Sequence, residues 1–346
     1  MNPIYLLACE SSCDETALTI YDLNSEKIVA SIINSQIEMH EKNGGVIPEL
    51  ASNFHYHAVG ILLKKILEKA NINLEDINFY AATQGPGLSG ALLIGFTFVK
   101  ALAWSMKKPF IPVNHLEGHI YSAFLNNNII FPYLCISVSG GHSSIYFVES
   151  FSTYKKLGQT RDDACGECFD KIAKLIGLPY PGGRYIEEIT NTTYYENKRN
   201  YPVSHLSDGS ISFSGLKTAV LYDLIKNNHY NELTKKINSE TPMAFITEVA
   251  SSAQYTITHM LESWIMWHLK QTKVNAVVMV GGVACNQIIK NQLSLSLEKL
   301  HIPFFTPLKK YCCDNADMIA FVAAKKIKAG CFTIEYDQGI FNNAFN

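Results

Sequence analysis

Apolar and polar positions along this chain group into strands that end in polar or glycine-rich turns, with helices after them. Residues 5–9 (YLLAC) are apolar, 10–16 polar and acidic, and 17–21 apolar again, which predicts a β-hairpin with an acidic turn. KIVASIINS (27–35) predicts a third strand. HAVGILLKKILEKANI (57–72) has helical spacing, with Val59, Leu62, Leu63, Ile66 and Leu67 on one face. INFYAATQ (77–84) reads as a strand and GPGLSG (85–90) as a glycine-rich turn. ALLIGFTFVKALAWSM (91–106) then reads as an almost wholly apolar, buried helix.

The second half repeats this order. PYLCISVSGGHSSIYFVES (132–150) is again strand, turn and strand, with Gly140 and Gly141 at the bend. VNAVVMV (274–280) is a buried strand, GGVACN (281–286) a glycine-rich turn and QIIKNQLSLSLEKL (287–300) a helix. Glycine lets the backbone approach an anion, and a helix N-terminus adds partial positive charge. Two α/β halves, each with phosphate-facing turns across a cleft, are the design of the actin-like ATPase and sugar-kinase superfamily. The fold expected is therefore α/β, with duplicated ribonuclease-H-like lobes. The first lobe takes residues 1–125 plus about 315–346, and the second takes 126–314. Residues 151–230 break the repeat as a mainly helical insertion: 162–178 place Phe169, Ile172, Ala173 and Ile176 on one helix face, 179–189 and 207–225 lead into two more helices, and helices also fill 241–269.

Composition narrows the function classes. The 346 residues are 47% hydrophobic, enough for a large core and for two domains. The formal charge is −2 and the only arginines are Arg161, Arg184 and Arg199, so any nucleic-acid partner needs a local patch or a helper protein. Nine cysteines, including one CxxC at Cys165 and Cys168 with no second pair, read as reduced thiols. The start MNPIYLLACESS has no basic n-region, and no window reads as a membrane span; a cytoplasmic protein is expected.

Candidate chemistry centres on VNHLEGHIYSAF (113–124). His115 and His119 are four apart, on one helix face, and together can hold one metal ion. In a zinc-protease helix the glutamate directly follows the first histidine; here Glu117 is two positions on and points off that face, so the protease arrangement is absent. The plain alternative is a pair of polar surface histidines. Asp314, at the mouth of a C-terminal helix, is a third candidate ligand, with Cys312 and Cys313 behind it; two imidazoles and one carboxylate suit a divalent ion that also touches a substrate.

With these segments read, the chain closely resembles the family of tRNA N6-adenosine threonylcarbamoyltransferases, earlier known as O-sialoglycoprotein endopeptidases. The motifs that carry the resemblance run in order through nearly the whole length: ESSCDETA (10–17), GGVIPELAS (44–52), TQGPGLSGALLIG (83–95), NHLEGH (114–119), VSGGHS (138–143), GECFDKIAKLIGLPYPGG (166–183), SFSGLKTAV (212–220), GGVACN (281–286) and CCDNADMIA (312–320). The resemblance implies an acyltransferase that moves the threonylcarbamoyl group of threonylcarbamoyl-adenylate to N6 of adenosine 37 in tRNAs reading codons that begin with A. It implies one divalent metal ion, iron or zinc, on His115, His119 and Asp314. It implies adenylate binding by Val138, Ser139, Gly140, Gly141, His142, Asp170, Gly183 and Asn286. It also implies protein partners: a shorter paralogue of the same fold and a small ATPase, the bacterial arrangement, which the absence of a presequence favours.

Taken residue by residue, plain readings remain beside these. Asp170 reads as a solvated helix carboxylate, Gly183 as a turn glycine and Asn286 as a helix N-cap. Asp14 and Glu15, in the first turn, are candidate catalytic residues that orient the amine or a metal-bound water, or else cap the turn. Lys217 contacts substrate or RNA, or is a solvated helix-start lysine. Asn53, Arg184, Cys313 and Asp317 depart from the family's usual wording, and Asn53 weakens the case for a cationic RNA contact from its loop. The competing classes are an actin-fold small-molecule kinase or ATPase, a metallopeptidase and a non-catalytic binding subunit. Phosphoryl transfer calls for carboxylate-held magnesium rather than imidazoles, which argues against the first.

Overall fold

The computed structural model describes residues 2–41, 45–191, 195–204, 206–332 and 336–342. The chain divides into two compact units, residues 1–126 with 313–346, and 127–312.

The first unit opens with a meander: β1 (Tyr5–Glu10), β2 (Glu15–Asp22) and β3 (Lys27–Ser35). Two helices follow, α1 (Ile37–Glu41) and α2 (Pro48–Ala70), and then β4 (Ile77–Gly85), α3 (Ser89–Ser105), β5 (Phe110–Asn114) and α4 (His115–Tyr121). The sheet order is β3-β2-β1-β4-β5, with the meander antiparallel and β1, β4 and β5 parallel. β1 is the central strand, and Leu6, Leu7, Ala8 and Cys9 are buried on both of its faces, which is why it reads as a continuous apolar run. Leu7 and Cys9 enter a core with α2 and α3 residues such as Leu62, Ile66, Phe96 and Val99.

The second unit repeats the plan. It holds β6 (Tyr133–Val138), β7 (Ser143–Ser150), β8 (Thr153–Gln159), α5 (Cys165–Leu175), α6 (Gly182–Asn191), α7 (Ser214–Lys226), a two-stranded ribbon of β9 (Tyr230–Asn231) and β10 (Lys236–Ile237), α8 (Met243–Gln271), β11 (Ala276–Val280), α9 (Gln287–Glu298) and β12 (Phe304–Phe305). Its sheet order is β12-β11-β6-β7-β8, again an antiparallel meander joined to parallel strands. β6 stands where β1 stands in the first sheet, and β11 where β4 stands. One core joins β6 and β11 to α5, α7, α8 and α9. The last helix, α10 (Ala316–Lys328), returns to the first unit and packs on β1, β2 and α4. Leu6 and Ala8 alternate with the side chains that face α2 and α3, so they point to the α10 side.

Three sequence expectations change. The segment 151–230, read as mainly helical, begins with a strand: β8 completes the meander, and α5, α6 and α7 follow. TYKKLGQ is an edge strand with mixed exposure, so it carries no apolar period to reveal it. α2 starts nine residues before the periodic stretch, with Pro48 at its first turn, where proline's missing N–H costs nothing. α3 is not wholly buried: Leu93 and Trp104 are 52% and 68% exposed, because one side of the helix packs on β4 and α2 while the opposite stripe faces solvent.

Gly281, after β11, has φ +90°, and a Cβ there would stand 2.4 Å from the Val138 carbonyl oxygen. Gly281→Ala should therefore cost about 1–3 kcal/mol of stability, read as a lowered urea midpoint.

Candidate functional site

In the first unit the site is built by two helix starts. Asn114 ends β5 and caps α4, its side-chain oxygen accepting from the Leu116 and Glu117 amides. This sets His115 in the first turn and His119 one turn on, with ring centroids 4.7 Å apart and edge to face. Asn315 caps α10 in the same way, accepting from the Met318 amide at 2.9 Å, and so fixes Asp314 just ahead of that helix. The two helices meet at Gly118, where a Cβ would lie 3.0 Å from Met318 and 3.1 Å from Ile319. That close approach carries the carboxylate to the histidines. His119 Nε2 is 3.0 Å from Asp314 Oδ1, and His115 Nε2 is 3.5 Å from the same atom.

Residues 115, 119 and 314 form a group whose ligand atoms lie within 4.8 Å of one another. Two metal–ligand bonds of about 2.1 Å, opened by roughly 90–110°, leave their donor atoms about 3.0–3.4 Å apart. One nitrogen–oxygen separation, 3.0 Å, falls in that span and the other, 3.5 Å, lies just beyond it, so small side-chain shifts bring the donor set onto one divalent ion. Both histidines are buried and Asp314 is partly exposed. Glu117 lies off this face, as its spacing predicts, and pairs with Lys326 of α10 at 2.9 Å, so it ties helix to helix.

Behind His115 stands Glu10, the last residue of β1 and fully buried. Its Oε2 lies 3.1 Å from His115 Nδ1, and Ser12 Oγ lies 3.1 Å from the same nitrogen. The Ser12 amide and the Thr83 hydroxyl also donate to Glu10. Burial works against a charged imidazole at His115, but the Asp314 and Glu10 carboxylates outweigh it and raise the ring to about 9. Sequence reading did not single out Glu10. The available signal was a carboxylate closing a strand that is otherwise wholly apolar.

Glu15 starts β2 with its side chain buried. Burial first, then Asp314 and Asp14, push its carboxyl up to about 10, and Ser35 Oγ donates to it at 3.2 Å. Asp14 lies in the turn, half-buried, with its carbonyl accepting from the Gln36 amide at 3.0 Å. The turn is braced by His55, whose ring bonds Thr16 Oγ1 at 2.7 Å and the Cys13 carbonyl at 2.9 Å. Both acidic residues thus belong to this side of the first unit, and Glu15 lies near enough to Asp314 to feel its charge.

In the second unit the other candidates gather at the carboxyl ends of the parallel strands β6 and β11, where ligands bind in open α/β sheets. Val138 ends β6. Ser139 to His142 form a turn closed by the Ser139 amide on the His142 carbonyl (2.8 Å) and the His142 amide on Ser139 Oγ (3.1 Å). Gly140 and Gly141 have open space where side chains would be. α5 starts against this turn: the Gly166 amide donates to the Ser139 carbonyl at 3.0 Å, and a Cβ on Gly166 would lie 2.8 Å from the Gly140 nitrogen.

Asp170, on α5, accepts from the Gly182 amide at 2.7 Å and also from Gly183, and so holds the first turn of α6. Burial raises its carboxyl. It is an anchored carboxylate, not a solvated one. Asn286 is the N-cap of α9, accepting from the Ile289 amide, and its Nδ2 donates to Gln254 Oε1 at 2.9 Å.

Other residues weighed from sequence are structural. Lys217 pairs with Asp163 at 3.1 Å, and Lys171 pairs with the same carboxylate at 2.6 Å. Cys165 and Cys168 are buried in the core, Cys312 donates to the Leu308 carbonyl, Cys313 is exposed, and all nine cysteines are free thiols. Arg184 pairs with Glu188 at the surface, Asn53 is exposed on α2, and Asp317 accepts from Thr19 Oγ1.

Comparison with known proteins places this geometry. A sequence profile of the family described as tRNA N6-adenosine threonylcarbamoyltransferase matches residues 27–321. A relative of that description from Kosmotoga olearia is 40% identical over 329 residues, covering 95% of both chains. Among solved structures, full-length HypF in a phosphate- and nucleotide-bound form aligns with TM-score 0.63 at 15% identity, over 95% of this chain and 56% of that one. Component A of (R)-2-hydroxyglutaryl-CoA dehydratase from Acidaminococcus fermentans aligns with TM-score 0.54 at 16% identity, over 94% and 99%. At such identities these structures speak for the fold, which is actin-like.

Since Asp170 holds the start of α6, Asp170→Ala should lower stability by about 1 kcal/mol while Asp170→Asn keeps most of it, as measured by urea unfolding.

Proposed function

The chain belongs to the tRNA N6-adenosine threonylcarbamoyltransferase family, and from that premise we propose how its residues divide the work. The protein is a transferase: it moves the threonylcarbamoyl group from threonylcarbamoyl-adenylate to N6 of adenosine 37 in tRNAs reading codons that begin with A. The observation that carries the residue assignment is the convergence of His115, His119 and Asp314 at ion-binding separations.

Those three residues hold one divalent ion. Two imidazoles and a carboxylate with positions left open are the donor set of non-haem iron(II) sites, which favours iron, with zinc as the alternative. When bound, the ion supplies Lewis acidity and a fixed positive charge for a substrate oxygen. The chain's own groups do the positioning. The amides of Gly140 and Gly141 are offered to phosphate and carbamoyl oxygens, since the two glycines leave their surroundings open, while Ser139 and His142 spend their own amides on closing the turn that presents them. Asp170, anchored by the Gly182 and Gly183 amides, is offered to ribose hydroxyls. Gly183 and Val138 admit the nucleoside backbone-close, and Asn286 has one amide hydrogen beyond the one given to Gln254.

The chemistry needs little else. The adenylate is a mixed anhydride, so its carbonyl carbon is already activated and AMP is the leaving group. The N6 amine is a poor nucleophile because its lone pair is delocalised into the ring, so rate comes from holding the two in line and stabilising the oxyanion. Adenosine 37 enters splayed from its loop, as single-stranded RNA bases are read. Asp14 and Glu15 are assigned to orienting the incoming amine. A kinase reading of the same fold is not favoured, because the candidate ligands are imidazoles rather than the carboxylates magnesium prefers.

The weak overall charge and three arginines leave tRNA affinity to partners; a shorter paralogue of the same fold and a small ATPase fill that role. No helix among the described residues is long and apolar enough to cross a membrane, and we assign the reaction to the cytoplasm, where its tRNA substrate is found.

Two outcomes test this. Purified protein given threonylcarbamoyl-adenylate and unmodified tRNA, with and without those partners, should yield N6-threonylcarbamoyladenosine by nucleoside mass analysis. His115→Ala should lose bound metal and transfer together, to background; full transfer by metal-free His115→Ala would reject the metal centre.

A further inference from the structure

We propose that Glu10 is the positioning residue of the metal centre: its carboxylate accepts a hydrogen bond from Nδ1–H of His115 and thereby holds the ring's other nitrogen, Nε2, towards Asp314. The inference rests on the proposal that His115, His119 and Asp314 share an ion.

The carboxylate is expensive where it stands. Leu6 and Ala8, on the same face of β1, are apolar and fully buried, and the next residue on that face is Glu10 at 0% exposure. A buried carboxylate costs several kcal/mol unless its oxygens are hydrogen-bonded. Leucine or methionine would fill the space without that cost, so packing alone does not explain the residue. Its bonds do. Oε1 accepts from the Ser12 amide, in the turn directly after β1. Oε2 accepts from the Thr83 hydroxyl on the neighbouring strand β4 and faces His115 Nδ1 at 3.1 Å. Thr83 sits on a sheet strand and Ser12 in a turn whose carbonyl is held by the Leu88 amide, so the two donors hold the carboxylate towards the ring.

The tautomer follows. A neutral imidazole carries its proton on one nitrogen only, and an ionised carboxylate can only accept. When the ring is neutral, as a metal ligand must be, Glu10 keeps the remaining proton on Nδ1 and leaves the Nε2 lone pair on the side where Asp314 Oδ1 stands at 3.5 Å. His119 is held differently. It also presents Nε2 to Asp314, at 3.0 Å, but its Nδ1 is buried with no hydrogen-bond partner among the described residues. One imidazole is therefore fixed from behind by a carboxylate and the other only by its helix. Glu10 acts on the ion through His115 and does not touch it. The arrangement links the end of β1 to the metal site, so the strand at the centre of the first sheet sets the ligand geometry.

The test uses full-length protein stripped with a chelator and titrated anaerobically with Co²⁺, whose visible absorption reports ligand number and geometry, in competition with a chromophoric chelator. Glu10→Ala should weaken Co²⁺ binding by about 10–100-fold, the usual cost of losing a group that orients a metal-bound histidine. Glu10→Gln, which retains an oxygen acceptor for Nδ1–H, should fall between wild type and Glu10→Ala. Thr83→Val, which removes one bond that steadies Glu10, should show a smaller loss. Glu188→Gln, a surface carboxylate of the second unit paired with Arg184, should match wild type. Circular dichroism of the metal-free forms checks that each variant is folded, and a variant that fails it is excluded from the series. Wild-type affinity and spectrum in both folded Glu10 variants, or in Glu10→Gln and Thr83→Val alone if Glu10→Ala does not fold, would overturn the proposal. So would a folded Glu10→Gln no better than Glu10→Ala. Failure of the wild type to bind Co²⁺ would instead overturn the metal centre itself, and this inference with it.

Discussion

Two carboxylates and an imidazole meet at the end of a strand that is otherwise wholly apolar, and much of the first unit follows from satisfying them. Glu10 cannot be left unpaired at full burial. Its oxygens call for the Ser12 amide, the Thr83 hydroxyl and the His115 ring, which fixes the turn after β1, the register of β4 beside it and the start of α4. On the far side of the ring, Asp314 balances the same histidine and is delivered by the onset of α10. The two helix starts approach that closely because residue 118 is glycine: a side chain there would meet Met318 and Ile319. The hydrophobic sheet thus does more than supply stability. It is the rigid base from which a polar cluster is aimed.

The duplication shows how one backbone plan is given two kinds of chemistry. Both sheets run as an antiparallel meander joined to two parallel strands. In the first unit the hairpin turn is acidic and braced by His55, and the helix after the last parallel strand carries the histidines. In the second, the equivalent turn is Ser-Gly-Gly-His, open where side chains would stand, and the helices near it begin with amides already held by Asp170 and Asn286. The His-His-Asp group therefore lies on one copy of the scaffold and the open glycine turn on the other.

Legibility varied with burial and with sequence separation. β1, β2, β6 and β11 could be read because burial on both faces demands continuous apolar runs, and β3, an edge strand, because its isoleucines and valine have high strand propensity. β8 could not, because TYKKLGQ lies at a sheet edge where polar residues are tolerated on both faces. The exposed side of α3 was also hidden: leucine and tryptophan have the same letters whether they meet a neighbour or solvent. In the site, the i, i+4 spacing disclosed the histidine pair, and the position of Glu117 disclosed that it faces elsewhere. The plain N-cap reading of Asn286 holds in the structure beside its role as a candidate ligand, while the solvated reading of Asp170 gives way to a carboxylate bound to two amides.

By itself the sequence determined what local periodicity and residue chemistry can encode: most of the strands and helices, the duplicated order, a histidine pair on one helix face and the glycine turns at strand ends. Only the tertiary structure decided which distant groups meet. Asp314 is 195 residues from His119 and Glu10 is 105 from His115, and nothing local records those encounters. They arise because a central strand, a glycine contact between two helices and a buried charge needing partners admit few arrangements that leave no polar atom stranded.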